Sequence, residues 1–559
     1  MPKRLAITIA GAVSLGSYEA GVLSEVLDAL HQHNTNPATV DDDRIVIDVL
    51  TGASAGGMTA IILAQKLMYS ADEFVGPYDN PMYNTWVKRI SLAGLQAPED
   101  NEPALDSLFS SNLIEEISRE ALLGRFATLP PPAPERHSSL GDRIRLGVAM
   151  TNLNGVAYGY PVTPGGKFTY IDYGDQRTRL VDGTNAQCDS AEFWEPLRQA
   201  AVACGAFPIA FRTQDIERSA HSEPDDYSSP NLEAWDHDPA TFTYSDGGIL
   251  QNQPLGMAKN LVDMIDDHAQ QESRFYLFVS PHAKDPDAND SFHSANADYF
   301  RLVQRLLDVV IGQSGFQDWI TAKAMNGRIE LLDARAAELQ TEILLGNIDV
   351  AALNTTSASL LKLFFPDNQQ TSPGSNKPEA LQDAQARIAA QYESEMKALA
   401  GVPGGANVFR DAVLAFETAA GLGARDHMTI YGVTATESEL ASAGLQAFLG
   451  FFDQRFRDHD YDLGRKHARA VLTDAALAQA GALGPLRYVP GAIRPIDSRL
   501  DGLKMSQVPV ADLQAFKAGM RKRLNQMLRE LWGTCASLPV SPVADLLLDS
   551  ALDHLIAKS

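Results

Sequence analysis

The N-terminal half of the chain alternates short β-branched runs with longer stretches that have helical spacing. Residues 5–9 and 44–51 are strand-like, and the runs 21–30 and 58–64 that follow them place apolar residues as a buried helix does. Further strand-like runs lie at residues 144–149, 241–245 and 274–280. This alternation predicts an α/β fold.

Beyond residue 285 the pattern becomes mainly helical. The polar cluster 284–290 marks a surface connection at this point. Helical runs follow at 300–311, 320–344 and 380–399, residues 366–378 are typical of a loop, and residues 428–433 are strand-like. We therefore divide the chain into an α/β domain of residues 1–285 and a mainly helical extension of residues 286–559.

The junction between the second strand and its helix reads Gly52-Ala53-Ser54-Ala55-Gly56. A G-x-S-x-G sequence between a strand and a helix is typical of a nucleophile elbow, a sharp turn that exposes the serine hydroxyl above the sheet. The same five residues also occur by chance in turns without chemistry. The strand before them and the helix after them favour the catalytic interpretation, with Ser54 as the nucleophile.

A serine hydroxyl is a weak nucleophile until a base lies within hydrogen-bond reach. The strand-like run 241–245 ends in Asp246-Gly247-Gly248. Open α/β sheets build their sites at the C-terminal ends of strands, so a carboxylate is well placed there. Asp-Gly is also an ordinary turn sequence. It is the combination with the elbow that makes Asp246 the candidate base.

A third candidate element precedes the first helix. Residues 11–16 read Gly-Ala-Val-Ser-Leu-Gly. A loop of small residues at a helix N-terminus directs several backbone N–H groups to one side, with the helix dipole behind them. Such amides can stabilise the oxyanion of a tetrahedral acyl intermediate. A dinucleotide-binding loop is the alternative, but the segment does not fit G-x-G-x-x-G.

The order of these elements resembles the patatin-like phospholipases, a family of lipid acyl hydrolases. Residues 246–254, Asp-Gly-Gly-Ile-Leu-Gln-Asn-Gln-Pro, are similar to the family's D-G-G-x-x-x-N-x-P. Residues 203–208, Ala-Cys-Gly-Ala-Phe-Pro, resemble its A-S-x-A-F-P segment, and residues 151–155 are similar to its turn after a central strand. The resemblance covers residues 1–285 and implies a three-layer α/β/α sheet in a catalytic domain.

The resemblance also implies roles for single residues. Ser54 would be the nucleophile and Asp246 the base of a Ser–Asp dyad that lacks histidine. The oxyanion hole would be formed by the amides of Gly11, Ala12 and Val13. Supporting positions in the motifs are Gly16, Gly52, Gly56, Gly247, Gly248 and Asn252. The implied activity, cleavage of carboxylic esters through an acyl-enzyme, needs no metal and no cofactor.

The oxyanion loop departs from the family's usual G-G-G-x-[RK]-G. Ala12 and Val13 replace two glycines, and Leu15 replaces the basic residue. A replaced glycine keeps its N–H donor in position only where φ stays negative. Loss of the basic residue removes a cation that could bind a phosphate head group, which argues against strict selectivity for phospholipids.

Two other functions stay open. His282 follows the strand-like run 274–280, and Ser, acid, His is the chain order of α/β-hydrolase triads. A neutral histidine is also a better base near pH 7 than an ordinary carboxylate. The other possibility is a protein that keeps the fold and binds lipid without performing the reaction.

The dyad requires a base that can accept a proton near neutral pH. An ordinary aspartate is too weak a base, so Asp246 needs a raised pKa or a dry, preorganised pocket. We expect the apolar neighbours Phe207, Ile209 and Ile249 to exclude water from the dyad.

Charge narrows the range of partners. The 559-residue chain has 71 acidic and 46 basic residues, for a formal net charge of −25. This argues against nucleic acid and against electrostatic docking on anionic lipid. Any contact with a lipid surface is therefore expected to be peripheral and apolar. We expect an acyl-lipid or other ester as the substrate partner.

The sequence also bears on the compartment. Residues 1–15 mimic a signal peptide, but the first strand and the oxyanion loop already explain them. No apolar run reaches the length of a membrane span. The three cysteines are far apart, which suits a reducing compartment, and the chain has neither a Cys/His cluster nor an H-E-x-x-H sequence for zinc. We expect a cytoplasmic protein.

Two apolar segments of the extension are candidates for a role near the site. Residues 360–365 adjoin the loop 366–378 and could cover the site in water and open on lipid. Residues 448–452 are rich in phenylalanine and, with residues 460–465, resemble a segment of bacterial patatin-like proteins with extended C-terminal regions. Packing against the catalytic domain is the alternative, because Phe and Leu runs usually lie in a core.

Overall fold

A computed structural model describes most of the chain. The described residues are 2–128, 130–162, 166–219, 239–265, 274–281, 293, 299–365, 380–420, 422, 429–474, 486–504 and 507–531. The strands are β1 Lys3–Ile9, β2 Ile45–Gly52, β3 Leu140–Val162, β4 Gly166–Asp182, β5 Gln214–Arg218, β6 Ala240–Asp246, β7 Arg274–Ser280 and β8 Ile430–Thr434.

The helices occur both between the strands and after them. They are α1 Gly16–Thr35, α2 Ala55–Tyr69, α3 Pro81–Tyr83, α4 Leu92–Leu95, α5 Ser111–Leu123, α6 Ala191–Cys204, α7 Leu255–Asp263, α8 Tyr299–Leu344, α9 Val350–Phe364, α10 Leu381–Gln391, α11 Glu393–Ala398, α12 Gly405–Ala419, α13 Gly444–Ala447, α14 Gln454–Leu472 and α15 Val510–Leu531. A π-helical segment, Asn84–Arg89, follows α3 directly.

The strands form a mixed sheet in the order β5-β6-β3-β2-β1-β7-β8, with β4 paired to β3. The α/β class predicted from the sequence is confirmed. The central strands β1, β2 and β3 are parallel, and β2 is buried along its whole length. Helices α2 and α6 pack on this part of the sheet. Side chains buried on both sides explain why β2 has an almost continuous apolar sequence.

Three strands deliver the candidate site residues to one edge of the sheet. β1 and β2 end side by side, with Ile9 opposite Gly52. β6 is antiparallel to β3 and places Asp246 opposite Met150, two residues beyond the Val148 that pairs with Gly52. Asp246 therefore reaches this edge at the end of an antiparallel strand, so the rule for parallel strands does not explain its position.

The turn expected at residues 151–155 is wrong in its extent. β3 continues to Val162 and pairs with β4, with a register shift between Thr151 and Val156. The irregularity is a bulge in which Asn152 Oδ1 accepts hydrogen bonds from the N–H groups of Asn154 and Gly155. Gly155 has φ 70°, a conformation that glycine adopts without strain.

Contacts divide the chain into two compact units. Unit 1 contains Met1–Ala258, Phe275–Phe316 and Ile430–Ser559, and unit 2 contains Lys259–Arg274 and Gln317–Thr429. This grouping differs from the sequence-based division at residue 285, because the last 130 residues belong with the N-terminal ones. The large core of unit 1 includes β1, β2, α1 and α2.

Unit 2 has a helical core of its own. Ile343, Leu361, Phe409 and Val413 are among its buried residues. A buried ion pair, Arg387–Glu417 at 2.9 Å, joins α10 to α12. The lid suggested for residues 360–365 stays a prediction, and within it Leu361 is part of this core whereas Leu363 is exposed.

Helices α1 and α14 of unit 1 cross in direct backbone contact. A Cβ on Gly21 would lie 2.0 Å from the carbonyl oxygen of Tyr461, and one on Gly464 would lie 2.2 Å from that of Tyr18. Only glycine permits this approach at either position. Because α1 begins directly after the loop 11–16, the C-terminal part of the chain packs on the helix that carries the candidate oxyanion loop.

Candidate active site

Ser54 lies at the turn between β2 and α2, as the G-x-S-x-G motif predicted. Its backbone has φ 50° and ψ −127°, a strained conformation for a residue with a side chain. The carbonyl oxygen of Ser54 accepts the N–H groups of Gly57 and Met58 at 3.0 and 3.1 Å, which starts the helix. Ser54 is nevertheless buried, with 7% of the residue exposed.

The glycines of the motif are required by space. A Cβ on Gly52 would lie 2.3 Å from the carbonyl oxygen of Gly56. A Cβ on Gly56 would lie 2.3 Å from the carbonyl oxygen of Ala10, at the end of β1. The elbow can therefore pack against both strands only with glycine at these positions.

The structure brings the predicted nucleophile and base into contact. Ser54 Oγ donates a hydrogen bond to Asp246 Oδ2 at 2.6 Å, across 192 residues of sequence. The second carboxylate oxygen, Oδ1, accepts the Gly248 N–H at 2.7 Å. The backbone of Asp246 is also fixed, since its N–H donates to Ala206 O and its carbonyl accepts Thr151 Oγ1. The Asp246 carboxyl group is therefore held in a fixed position beside the Ser54 hydroxyl.

Burial raises the pKa of Asp246 from its ordinary value of 3.8 to about 7, and the hydrogen bonds from Ser54 and Gly248 oppose this rise. Asp246 is buried, and the next residue, Gly247, fits closely against β3, where a Cβ would lie 2.0 Å from the carbonyl oxygen of Ala149. The direction of this pKa shift agrees with the requirement that the base have a raised pKa. Ile209, expected to desolvate the dyad, is instead 63% exposed, while Phe207 and Ile249 are half-buried.

The loop 11–16 lies against Ser54, since a Cβ on Gly11 would be 3.0 Å from the Ser54 Cβ. The role of Gly11 as an oxyanion donor stays a prediction. Its N–H already donates to the carbonyl oxygen of Asn252 at 3.0 Å. Within the described residues, the N–H groups of Ala12 and Val13 have no hydrogen-bond acceptor.

The two replaced glycines of this loop behave differently. Ala12 has φ −143°, which any residue adopts, whereas Val13 has φ 51°. A β-branched residue at positive φ is a genuine outlier that the surrounding structure must enforce. A negative φ, which keeps the N–H donor of a replaced glycine in position, is therefore present at Ala12 and absent at Val13. At Val13 the fold enforces the positive φ that glycine adopts without strain.

Asn252 joins the two loops of the site. Its side-chain oxygen lies 2.0 Å from the position of a Cβ on Gly11 and 2.7 Å from that of a Cβ on Gly248. Gly16 is confined in the same way, because a Cβ on it would lie 2.5 Å from the ring of Trp86. The supporting glycines carried over from the motifs thus share one property, because each leaves space for a neighbour that a larger side chain would displace.

Three residues of the site were missed in the sequence. Cys204 lies beneath the elbow, with Sγ 3.6 Å from the carbonyl oxygen of Ser54, and burial raises the pKa of its thiol well above the usual value. Thr151 anchors Asp246, as described above. Ser14 Oγ donates to the carbonyl oxygen of Ala447 and accepts the Gly450 N–H. All three residues stand in segments that the motifs indicated, but the motifs gave no sign of their contacts.

His282, the alternative base, lies outside the described residues. Among the residues that are described, no group of three or more His, Cys, Asp or Glu side chains could hold a metal ion. No described helix has both the length and the apolar composition needed to cross a bilayer.

Comparison with known proteins identifies relatives of this chain. Residues 7–259 match the model of a family described as Patatin-like phospholipase. The chain is also 24% identical over 356 residues to a Sinorhizobium fredii (strain NBRC 101917 / NGR234) protein named Uncharacterized protein y4iI. That match covers 50% of this chain and 49% of the other, so the chain spans about half the length of this relative. The family match contains Ser54 and Asp246, and residues 260–559 lie outside it.

Proposed function

Residues 7–259 belong to the patatin-like phospholipase family, and from this premise we propose that the protein is a serine acyl hydrolase that cleaves carboxylic esters of lipids. One observation carries the proposal. Ser54 Oγ and Asp246 Oδ2 share a 2.6 Å hydrogen bond at the end of the sheet, on a strained elbow and beside two available backbone amides. Nucleophile, base and candidate oxyanion donors thus lie in one place.

The reaction proceeds through an acyl-enzyme. Ser54 Oγ attacks the ester carbonyl carbon while its proton passes to Asp246 Oδ2, and the carbonyl oxygen becomes an oxyanion. The tetrahedral intermediate collapses when Asp246 returns the proton to the departing alcohol. A water molecule then attacks the acyl group, gives a proton to Asp246, and the second collapse releases the carboxylic acid and restores the Ser54 hydroxyl.

The raised pKa suits Asp246 to both directions of proton transfer. A general base works best when its pKa lies near the working pH, and burial brings the pKa of this carboxyl to about 7. The amides of Ala12 and Val13 are the proposed oxyanion donors. Each such donor contributes about 3–4 kcal/mol to stabilising the transition state.

The loop 11–16 also bears on the head group. Leu15 stands where the family's usual loop has a basic residue, and its side chain is fully buried. The loop therefore offers no cation to a phosphate beside the reacting ester. We propose that the enzyme accepts neutral acyl esters at least as well as phospholipids.

Hydrolysis of p-nitrophenyl butyrate tests this function. We expect the wild-type protein to turn over the ester, and Ser54→Ala and Asp246→Asn each to lose at least ~10³-fold in kcat. Ser70→Ala is the matched control, because it removes a buried serine that lies just past the other end of α2. Full activity in Ser54→Ala with an intact fold would exclude the proposed nucleophile.

A further inference from the structure

The C-terminal part of the chain contacts the candidate oxyanion loop directly. Ser14 Oγ donates to the carbonyl oxygen of Ala447 and accepts the N–H of Gly450 at 3.1 Å. A Cβ on Gly450 would lie 2.6 Å from Ser14 Oγ, so the contact depends on glycine. Residues 447–450 are thus fixed beside the loop that holds the Ala12 and Val13 amides.

The same segment also contacts the other side of the dyad. The ring of Phe448 lies edge-on to that of Phe207, with 5.6 Å between centroids, and is stacked on Phe109 at 6.1 Å. Phe207 directly follows Ala206, whose carbonyl oxygen accepts the Asp246 N–H at 3.0 Å. Phe448 therefore lies between the loop that binds the oxyanion and the segment that holds the base.

These aromatic rings are not fully enclosed. Phe448, Phe207 and Phe211 are each half-buried, although all three pack on the core of unit 1. Phe211 also approaches Phe109, with 6.1 Å between centroids. Rings that only filled the interior would be buried like Phe109 and Phe451. The cluster keeps accessible apolar surface close to the reacting groups, which is the surface that an acyl chain requires.

We propose that Phe448, from the C-terminal part of the chain, forms a subsite for the acyl chain together with Phe207 and Phe211. The proposal rests on the proposed hydrolase function. Phe448 lies outside the segment that matches the family, so the extension supplies a specificity-determining residue as well as packing. Each methylene group buried against these rings strengthens binding about fourfold. The chemical class of ligand is an ester with a medium or long acyl chain.

Chain-length selectivity tests the subsite. The measured quantity is the ratio of kcat/KM for p-nitrophenyl octanoate to that for p-nitrophenyl acetate. We expect this ratio to fall about tenfold or more in Phe448→Ala, since the octanoyl chain loses apolar contact that the acetyl group never makes. If the variant does not fold, Phe448→Leu keeps most of the apolar volume and should lower the ratio about threefold.

Phe452→Ala is the matched control. Phe452 is half-buried in the same segment, but its ring packs on Phe516 of α15 with 4.9 Å between centroids. We expect its selectivity ratio to equal that of the wild type. An unchanged ratio in folded Phe448→Ala, or an equal fall in Phe452→Ala, would overturn the proposed subsite.

A binding measurement separates this proposal from the catalytic one. Laurate should raise the Tm of Ser54→Ala protein, and the rise should shrink in the double variant Ser54→Ala/Phe448→Ala. If the wild type hydrolyses neither ester, the hydrolase function fails, while a smaller laurate effect in the double variant still supports the subsite. Equal laurate effects in the two proteins would reject the subsite even if hydrolysis is observed.

Discussion

At the scale of single residues, the site is built from groups held in unfavourable states. Ser54 and Val13 both have positive φ, which costs about 1–3 kcal/mol for each such residue. Asp246 is a carboxyl group removed from water. These costs mark the residues that the fold constrains most strongly, and such constraint is common where the chemistry needs a fixed geometry.

The pH dependence of kcat/KM follows from the raised pKa of Asp246. The base must be ionised in the free enzyme, and its pKa is about 7, so kcat/KM should rise with pH and reach half of its maximum near pH 7. Hydrolysis of a neutral ester between pH 5 and pH 9 measures this. A half-maximum near pH 4 would mean that the catalytic base has an ordinary carboxylate pKa.

The burial of Asp246 also predicts that the stability difference between Asp246→Asn and the wild type depends on pH. The pKa is raised on folding, from 3.8 to about 7, so the stabilising contribution is full below pH 4 and lost as pH rises through 7. Asparagine does not titrate and escapes this loss. Between pH 4 and pH 8 the free energy of unfolding should shift in favour of the variant, by up to ~4 kcal/mol.

Urea unfolding of wild-type and Asp246→Asn protein, at pH 4, 6 and 8, measures this shift. The contributions of all other titrating groups to the free energy of unfolding cancel in this comparison, because both proteins contain the same groups. A difference in unfolding free energy that stays constant with pH would show that the Asp246 carboxyl does not change its pKa on folding.

At the scale of secondary-structure elements, local sequence patterns predicted much of the site. β2 lies within one residue of its expected bounds, whereas α2 begins three residues before the expected helical run and ends five residues after it. The long pairing of β3 with β4 was not predicted. The paired residues include Gly159, Pro161 and Gly166, and glycine and proline usually interrupt strands. Here the hydrogen bonds between the two strands overcome this local preference.

Contacts between distant segments could not be predicted from local sequence patterns either. The approach of Asp246 to Ser54 was inferred from the place of each residue at a strand end and from the family resemblance, since nothing in either segment specifies the other. In the sequence, the crossing of α1 and α14 is marked only by two glycines. A glycine does not indicate which helix will approach it. The same is true of Ser14 and Gly450, whose hydrogen bond joins residues 436 positions apart.

The crossing predicts that the glycines of α1 and α14 are required. In Gly21→Ala the new Cβ would lie 2.0 Å from the Tyr461 carbonyl oxygen, so the helices must separate. We expect a loss of about 2–4 kcal/mol in the free energy of unfolding, since overpacking is combined with a lost backbone contact. Gly464→Ala should behave alike, because it meets Tyr18 in the same way.

The control for these variants is Gly432→Ala in β8, where a Cβ would meet nothing within 4 Å. Its free energy of unfolding, measured in urea, should differ from that of the wild type by no more than an ordinary surface substitution causes, about 0.5 kcal/mol. A Gly21→Ala protein as stable as the Gly432→Ala protein would contradict the close packing of the two helices.

At the scale of the whole molecule, the C-terminal residues of unit 1 are integrated with the catalytic part of the chain. Glu25 in α1 is buried and forms ion pairs with Arg465 and Arg469 of α14, at 2.9 and 2.6 Å. Burying an ionised carboxylate is costly unless a cation pairs with it, so α1 depends on α14 for more than apolar contact. The region beyond the family match thus completes the environment of the helix that follows the oxyanion loop.

The central claim is that the fold joins an N-terminal serine to a mid-chain aspartate in order to form an acyl-enzyme. Labelling with a fluorophosphonate, followed by mass spectrometry of the intact protein and its peptides, tests it most directly. We predict one adduct per chain, located on Ser54, absent in Ser54→Ala, much slower in Asp246→Asn and unchanged in Ser70→Ala. An adduct on another residue, or undiminished labelling of Ser54→Ala, would contradict the account.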